Sequence, residues 1–395
     1  MPSPAAGICG LEFVARWFSC LKPLYDDTLN ACALTAPDHQ GTPPMYQSSE
    51  DAKATPQFSL DFSRQFESWL GLFNASIAFT TYQAGKVFMI GKGDQGISLV
   101  ERTFPRCMGI AAQKDRFYLA SQYQLWRFNN VLEASDNYQG YDRLFIPQLG
   151  WTTGDVDAHD IGIDGNGRPV FVNTLFSCLA RPSETASFEV VWKPPFISRL
   201  GPEDRCHLNG LAMHEGEPGW VTMISEADVA EGWREHRREG GLVMDVRTNE
   251  VVCSGLSMPH SPRWYRKKLW LLNSGTGELG SVNFKTGQFE PLCFVPGYAR
   301  GLAFHGKYAL VGLSKARNKS FSGLALDDAL AERKAEARCG LVVIDLDTGD
   351  LLHHMRISGV IEELFDVAVL HSAIRPMLLG FKTDEIKHMI RFEGS

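Results

Sequence analysis

No two of the nine cysteines, at positions 9, 20, 32, 107, 178, 206, 253, 293 and 339, stand as a Cys-x-x-Cys pair. Zinc ribbons and thioredoxin-type chemistry are thereby excluded. An odd, scattered set cannot close fully into intrachain bridges, so reduced thiols in a cytoplasmic protein are expected. Excess positive charge is missing too. A formal charge of -7 and a pI near 5.9 argue against a nucleic-acid or anionic-membrane surface. Long apolar runs are also absent. The longest candidate, residues 8–24, is broken by Glu12, Arg16 and Lys22, short of the roughly 20 apolar residues a span needs. It reads at most as a short amphipathic helix, and the start lacks the basic residues of a signal peptide. There is no G-x-S-x-G elbow, Walker loop, G-x-G-x-x-G or H-E-x-x-H.

What the chain has is β-forming and aromatic residues. Hydrophobic content is 44%, with nine Trp and 24 Phe, which favours sheet packing over long amphipathic helices. Residues 35–57 are rich in Pro, Ser, Thr and charge and bury too little apolar surface to offset their ordering entropy, so they read as a linker. Residues 1–60 are accordingly an N-terminal extension, partly disordered, and 61–395 the folded domain. The apolar spacing of residues 62–73 predicts a helix leading into it.

From there an apolar strand, a turn and a second strand recur seven times. The copies are SIAFTTYQAGKVFMIG, MGIAAQKDRFYLAS, HDIGIDGNGRPVFVN, LNGLAMHEGEPGWVTMI, SPRWYRKKLWLLNSG, RGLAFHGKYALVGL and FDVAVLHSAIRPMLLGF. Their starts lie roughly 30 to 65 residues apart, bracketing the blade period of propellers. Third strands closed by D-x-x-T-G or N-F-K-T-G turns follow several copies. The expected fold is all-β, a single β-propeller with seven blades favoured, or six if the first and last copies merge. A β-sandwich is the competing reading. Two insertions, residues 225–241 and 314–340, fall between second and third strands. Their composition predicts helices, and both should overhang the face where the inner strands begin.

Histidines precede three consecutive inner strands: His159 in DAHD, His207 in CHLNG and His260 in PHSP. Aligned as equivalents, they converge on the channel axis. Three neutral imidazoles facing one point suit Fe, Cu or Zn and leave a coordination position open. Asp157 and Asp160 flank His159, where either would complete the coordination, hold an imidazole in the right tautomer or act as a base. The alternative is a polar cluster bridged by water. Arg106, Arg263 and Arg300 also stand at strand starts. They would bind an anionic or peptide substrate or pair with Asp157, Asp160 or Asp366, and the two roles do not exclude each other. His236, in the first insertion, would reach over the channel as part of a lid.

The strings YQAGKVFMIG, DVDAHDIGID, CHLNGLA, MPHSPRW and YARGLAF resemble a family of mostly bacterial conserved hypothetical proteins, sometimes fused to tetratricopeptide repeats. The likeness covers about residues 66–392 and implies fold and extent only. More loosely, the site resembles propeller metalloenzymes that hold iron or zinc with axial histidines, an analogy that transfers no residue. The expected function is a metal-dependent enzyme, an oxygenase or hydroxylase before a lyase or hydrolase. The alternative is a non-catalytic propeller that binds a protein or peptide at the same mouth.

Overall fold

The computed structural model describes residues 58–316 and 323–392. The expectations for the N-terminal extension, its short helix and its linker lie outside these residues, apart from the last few. Strand Phe58–Phe62, which straddles the expected boundary at 61, pairs with Leu351–Gly359 of the folded body.

The described residues form six sheets arranged as the blades of one propeller, antiparallel except where Pro376–Leu378 runs parallel to Arg143–Thr152. In chain order the innermost strands are Ile110–Gln113, Ala158–Ile163, Gly210–His214, Pro259–Tyr265 and Tyr298–His305. The sixth is Val367–His371, which pairs with Ala75–Thr81 almost 300 residues earlier. Blade 1 therefore joins the C-terminal inner strand to Ala75–Thr81, Lys86–Gly93 and Gly96–Thr103, blades 2 to 6 follow in sequence, and Phe58–Phe62 adds to the outer edge of blade 6. Each inner strand packs beside the next, and the last closes on the first. The seven-blade expectation is corrected here. The first and last copies are two parts of one blade, and six is the number the structure adopts. Closure of this kind removes the open edges an isolated stack would expose.

Local chemistry explains the elements. Every residue of Ala75–Thr81 is buried, as expected of an apolar strand covered on both faces. The turns read from the sequence are Asx turns. Asp345 Oδ1 accepts from Asp347 N at 2.9 Å and Asn283 Oδ1 from Lys285 N at 3.0 Å. Helix Phe66–Phe73 buries Phe66, Trp69, Leu70 and Phe73, one face at helical spacing, and stops at Asn74 in the left-handed region. That face covers the blade 6 and blade 1 sheets through Phe79, Phe88 and Leu341.

Both insertions connect second to third strands, in blades 4 and 6. Among the described residues their helix content is less than expected. The first holds a single 3₁₀ turn, Gly232–His236, and the second the helix Ala325–Glu332. Trp233 of the first and Leu324, Leu326 and Leu330 of the second share one apolar cluster with Met258 and Tyr298. The two insertions thus lock together over the mouth.

Candidate functional site

Hydrogen bonds between inner strands fix which residues are equivalent. Asp366 Oδ2 accepts from Ile110 N at 3.0 Å, Asp160 Oδ2 from Leu211 N at 3.0 Å and Ser261 Oγ from Gly301 N at 3.0 Å. Asp366, Asp160 and Ser261 are therefore the same position in blades 1, 3 and 5. His159 and His260 each precede it by one residue. Counting from Leu211, the level of His159 and His260 in blade 4 belongs to Asn209. His207 lies two residues earlier, level with Asp157 and Met258. The backbone agrees, since Arg106, Asp157, His207 and Met258 have φ of 45°, 51°, 50° and 49°. The three-histidine alignment is thus corrected by a slip of two residues in blade 4.

The slip divides the trio. His159 and His207 lie side by side, ring centroids 4.9 Å apart and nearly perpendicular, in the wall of a mouth cavity of about 370 Å³. His260 lines a separate cavity of about 20 Å³. Arg300, Lys315 and Glu363 form a wall common to both. Among the described residues, no group of three or more His, Cys, Asp or Glu is arranged to hold a metal ion.

Each imidazole has its Nδ1 committed. That of His159 lies 2.9 Å from Asp157 O and 2.8 Å from Thr174 Oγ1. The Thr174 hydroxyl donates to Leu208 O, so it accepts from Nδ1–H. His260 repeats the arrangement, with Met258 O at 2.8 Å and Ser274 Oγ at 3.4 Å, the latter hydroxyl donating to Ala299 O. His207 Nδ1 faces the Asp204 carboxylate at 2.9 Å. The network assigns the proton to Nδ1 in all three and leaves Nε2 as the lone-pair nitrogen. Burial pushes the His159 pKa down to about 4, opposed by Asp157 and reinforced by the neighbouring His207 and Arg300. Burial, then Arg300, holds His260 well below the usual imidazole range. Both are neutral rings at pH 7.

Asp204 is the functional residue that sequence reading missed. Burial opposes its charge, but His207 and the Trp233 N–H outweigh that and keep its pKa below the usual carboxylate value. Trp233 Nε1 donates to Asp204 Oδ2 at 2.8 Å, and its ring stacks on His207 with centroids 4.2 Å apart. The i, i+3 spacing of Asp204 and His207 was visible, but the φ of 43° at Asp204 that folds the segment back was not. His236 is corrected as well: it is exposed and absent from the mouth lining, where its helix contributes Trp233, with Arg234 beside it.

The arginines pair with carboxylates. Arg106 meets Asp155 at 2.6 Å and Asp157 at 3.0 Å. Arg263 reaches into the channel and binds Asp160 through both nitrogens, at 2.7 and 3.0 Å, with Asp366 at 3.5 Å. Asp160 and Arg263 thereby form part of a plug below the mouth, and neither lines the mouth cavity. Arg300 lies 3.5 Å from Glu363 and 5.2 Å from the Phe365 ring centre. Each guanidinium thus faces a carboxylate, the pairing that the sequence allowed alongside substrate binding.

The fold has distant likenesses among solved structures. A nidogen/laminin complex matches at 11% identity and a TM-score of 0.49, over 75% of this chain and 99% of that one. Virginiamycin B lyase from Staphylococcus aureus with Quinupristin matches at 9% identity and a TM-score of 0.38, over 76% and 99%. No curated protein matches the sequence. The profile described as "Domain of unknown function (DUF4915)" matches residues 64–379, and the chain belongs to that family.

Proposed function

We propose that the mouth is an enzyme active site working by proton transfer on a small, neutral, polar molecule, in the manner of a lyase or hydrolase. The observation that carries this reading is the Asp204–His207 pair. The carboxylate holds Nδ1–H at 2.9 Å and so presents the Nε2 lone pair to a cavity of about 370 Å³. When Nε2 takes a proton from substrate, Asp204 stabilises the imidazolium formed. Trp233 shields one face of the ring from water and fixes the carboxylate. His159 stays neutral beside it, so one imidazole is free to charge without a second charge opposing it.

A second reading is favoured by the two neighbouring rings with both Nδ1 atoms engaged. Nε2 of His159 and His207 would then share a transition metal, Fe, Cu or Zn, as in an oxygenase, with Asp157 and Asp204 as the outer oxygens that orient them. The described cysteines, all free thiols, support placing the protein in the cytoplasm. No helix of the described residues is long and apolar enough to cross a membrane.

One experiment separates the readings: turnover of small polar molecules by the full chain, with metal content measured in parallel. Loss of about 10²–10⁴ in rate in both His207→Asn and Asp204→Asn, without bound metal, is expected. Near-stoichiometric metal lost in His159→Ala and His207→Ala supports the second reading. Turnover undiminished in His207→Asn overturns the first, and a protein with neither metal nor turnover is a binding propeller.

A further inference from the structure

His260 is 4% exposed, and its Nε2 has no hydrogen-bond partner among the described residues. A buried acceptor left unmade costs about 1–3 kcal/mol, so such groups ordinarily meet a donor. No described residue supplies one. Ser274 Oγ donates to Ala299 O at 2.6 Å and Ser314 Oγ to Leu364 O at 3.0 Å. Tyr298 Oη donates to Asp327 at 3.0 Å. Arg300 is directed to Glu363 and Lys315 to Glu362. These are the polar side chains around the 20 Å³ cavity beside His260, and the rest of its lining is Met258, Ala299 and Leu324.

The size and charge of the cavity define what fits. About 20 Å³ admits one water-sized group. The wall carries Arg300 and Lys315 beside Glu363, so a cationic amine or a metal ion meets the guanidinium and an oxyanion meets the carboxylate. Lys315 turns to Glu362 and Arg300 to Glu363, and an oxyanion has no proton to give to Nε2. A neutral O–H is a donor that meets neither difficulty, and Arg300, Lys315 and Glu363 border both this cavity and the mouth.

We infer that the His260 cavity is a hydroxyl subsite: one O–H of a neutral, polyhydroxylated ligand held in the mouth donates to His260 Nε2. This rests on the mouth being the substrate cavity, and it names the substrate class as a sugar or polyol. The mouth suits that class. It offers the faces of Tyr82, Trp233 and Phe365 together with paired carboxylates and cations that hydrogen-bond to hydroxyls.

The test is binding to the full chain of D-glucose and glycerol, each against its deoxy partner, 2-deoxy-D-glucose and 1,2-propanediol. Ligand-observed NMR gives the affinity, and the ¹⁵N resonance of His260 Nε2 gives the contact. At least one polyol should bind roughly five- to tenfold more tightly than its deoxy partner and move the Nε2 resonance. In His260→Phe the preference should vanish while the deoxy compound binds as before. Should that variant not fold, the Nε2 shift in the unaltered chain decides. Equal affinities within both pairs, no binding at all, or a water retained on Nε2 in a polyol-bound crystal structure each overturn the inference. Because the readout is binding, it can fail while His207 remains essential for turnover, and the reverse.

Discussion

Replacing Asp366 by Asn should remove a specific pH dependence from the stability of the fold. Asp366 is 3% exposed on the channel side of blade 1. Its oxygens accept from Ile110 N at 3.0 Å and Val367 N at 2.9 Å, and Arg263 lies 3.5 Å away. That guanidinium is already bound by two shorter contacts to Asp160. Two carboxylates thus share one cation in a buried channel. Burial pushes the Asp366 pKa up to about 7, with Arg263 opposing and Asp160 adding to the rise. The folded state therefore holds this proton more tightly than the unfolded chain, where the group titrates near 3.8. Its stabilising contribution is complete below about pH 4 and is lost as pH rises to about 7. The slope is at most about 1.4 kcal/mol per pH unit, so the whole window is worth no more than about 4 kcal/mol.

Denaturant unfolding from pH 4.5 to 8.5 reads this directly, taken as the difference between the unaltered chain and Asp366→Asn. The Asn side chain keeps one acceptor oxygen and carries no charge. The variant should be less stable by about 1 kcal/mol near pH 4.5, where one hydrogen bond is lost. It should gain on the parent steadily as pH rises and match or exceed it by pH 8. Groups elsewhere titrate in both proteins and cancel in the difference. A difference that does not change with pH would refute the shared-cation account of the channel.

Gly301 has φ of +75°, and a Cβ there would stand 2.7 Å from the Cα of Asp366. Gly301→Ala should therefore cost more than the roughly 1 kcal/mol of the backbone term alone, seen as a lower urea midpoint at unchanged slope. Trp233→Ala empties a site 5% exposed between the two insertions and should cost about 3–5 kcal/mol. Trp233→Phe should keep the stack on His207 but free the Asp204 oxygen, showing a smaller loss in the same denaturation experiment. Deleting residues 365–395 removes the inner strand of blade 1, and the product should show no cooperative thermal transition. If it unfolds with the parent's enthalpy, closure by the C-terminal strand is not what completes the ring.

Much of the fold was written in short-range pattern. Strand alternation, the Asx turns at Asp345 and Asn283, the helical face from Phe66 to Phe73 and the place of both insertions follow from spacings of two to eight residues, where sequence and structure speak the same language. Blade number did not follow. The pairing of Val367–His371 with Ala75–Thr81 joins strands at opposite ends of the domain, and no local signal states which distant strand is the partner. Each of the seven copies was real, yet two were fragments of one blade.

The site divides along the same line. Sequence alone determined that histidines stand where inner strands begin, because a repeat places equivalent residues at equivalent heights. Tertiary structure decided the register of blade 4, where His207 occupies the left-handed position that Arg106, Asp157 and Met258 fill in other blades, two residues before the level of His159 and His260. It also decided who faces whom: Asp204 and Trp233 on His207, Asp160 and Asp366 on Arg263. Charge partners are selected by distance across a closed ring, and that distance exists only once the ring has closed.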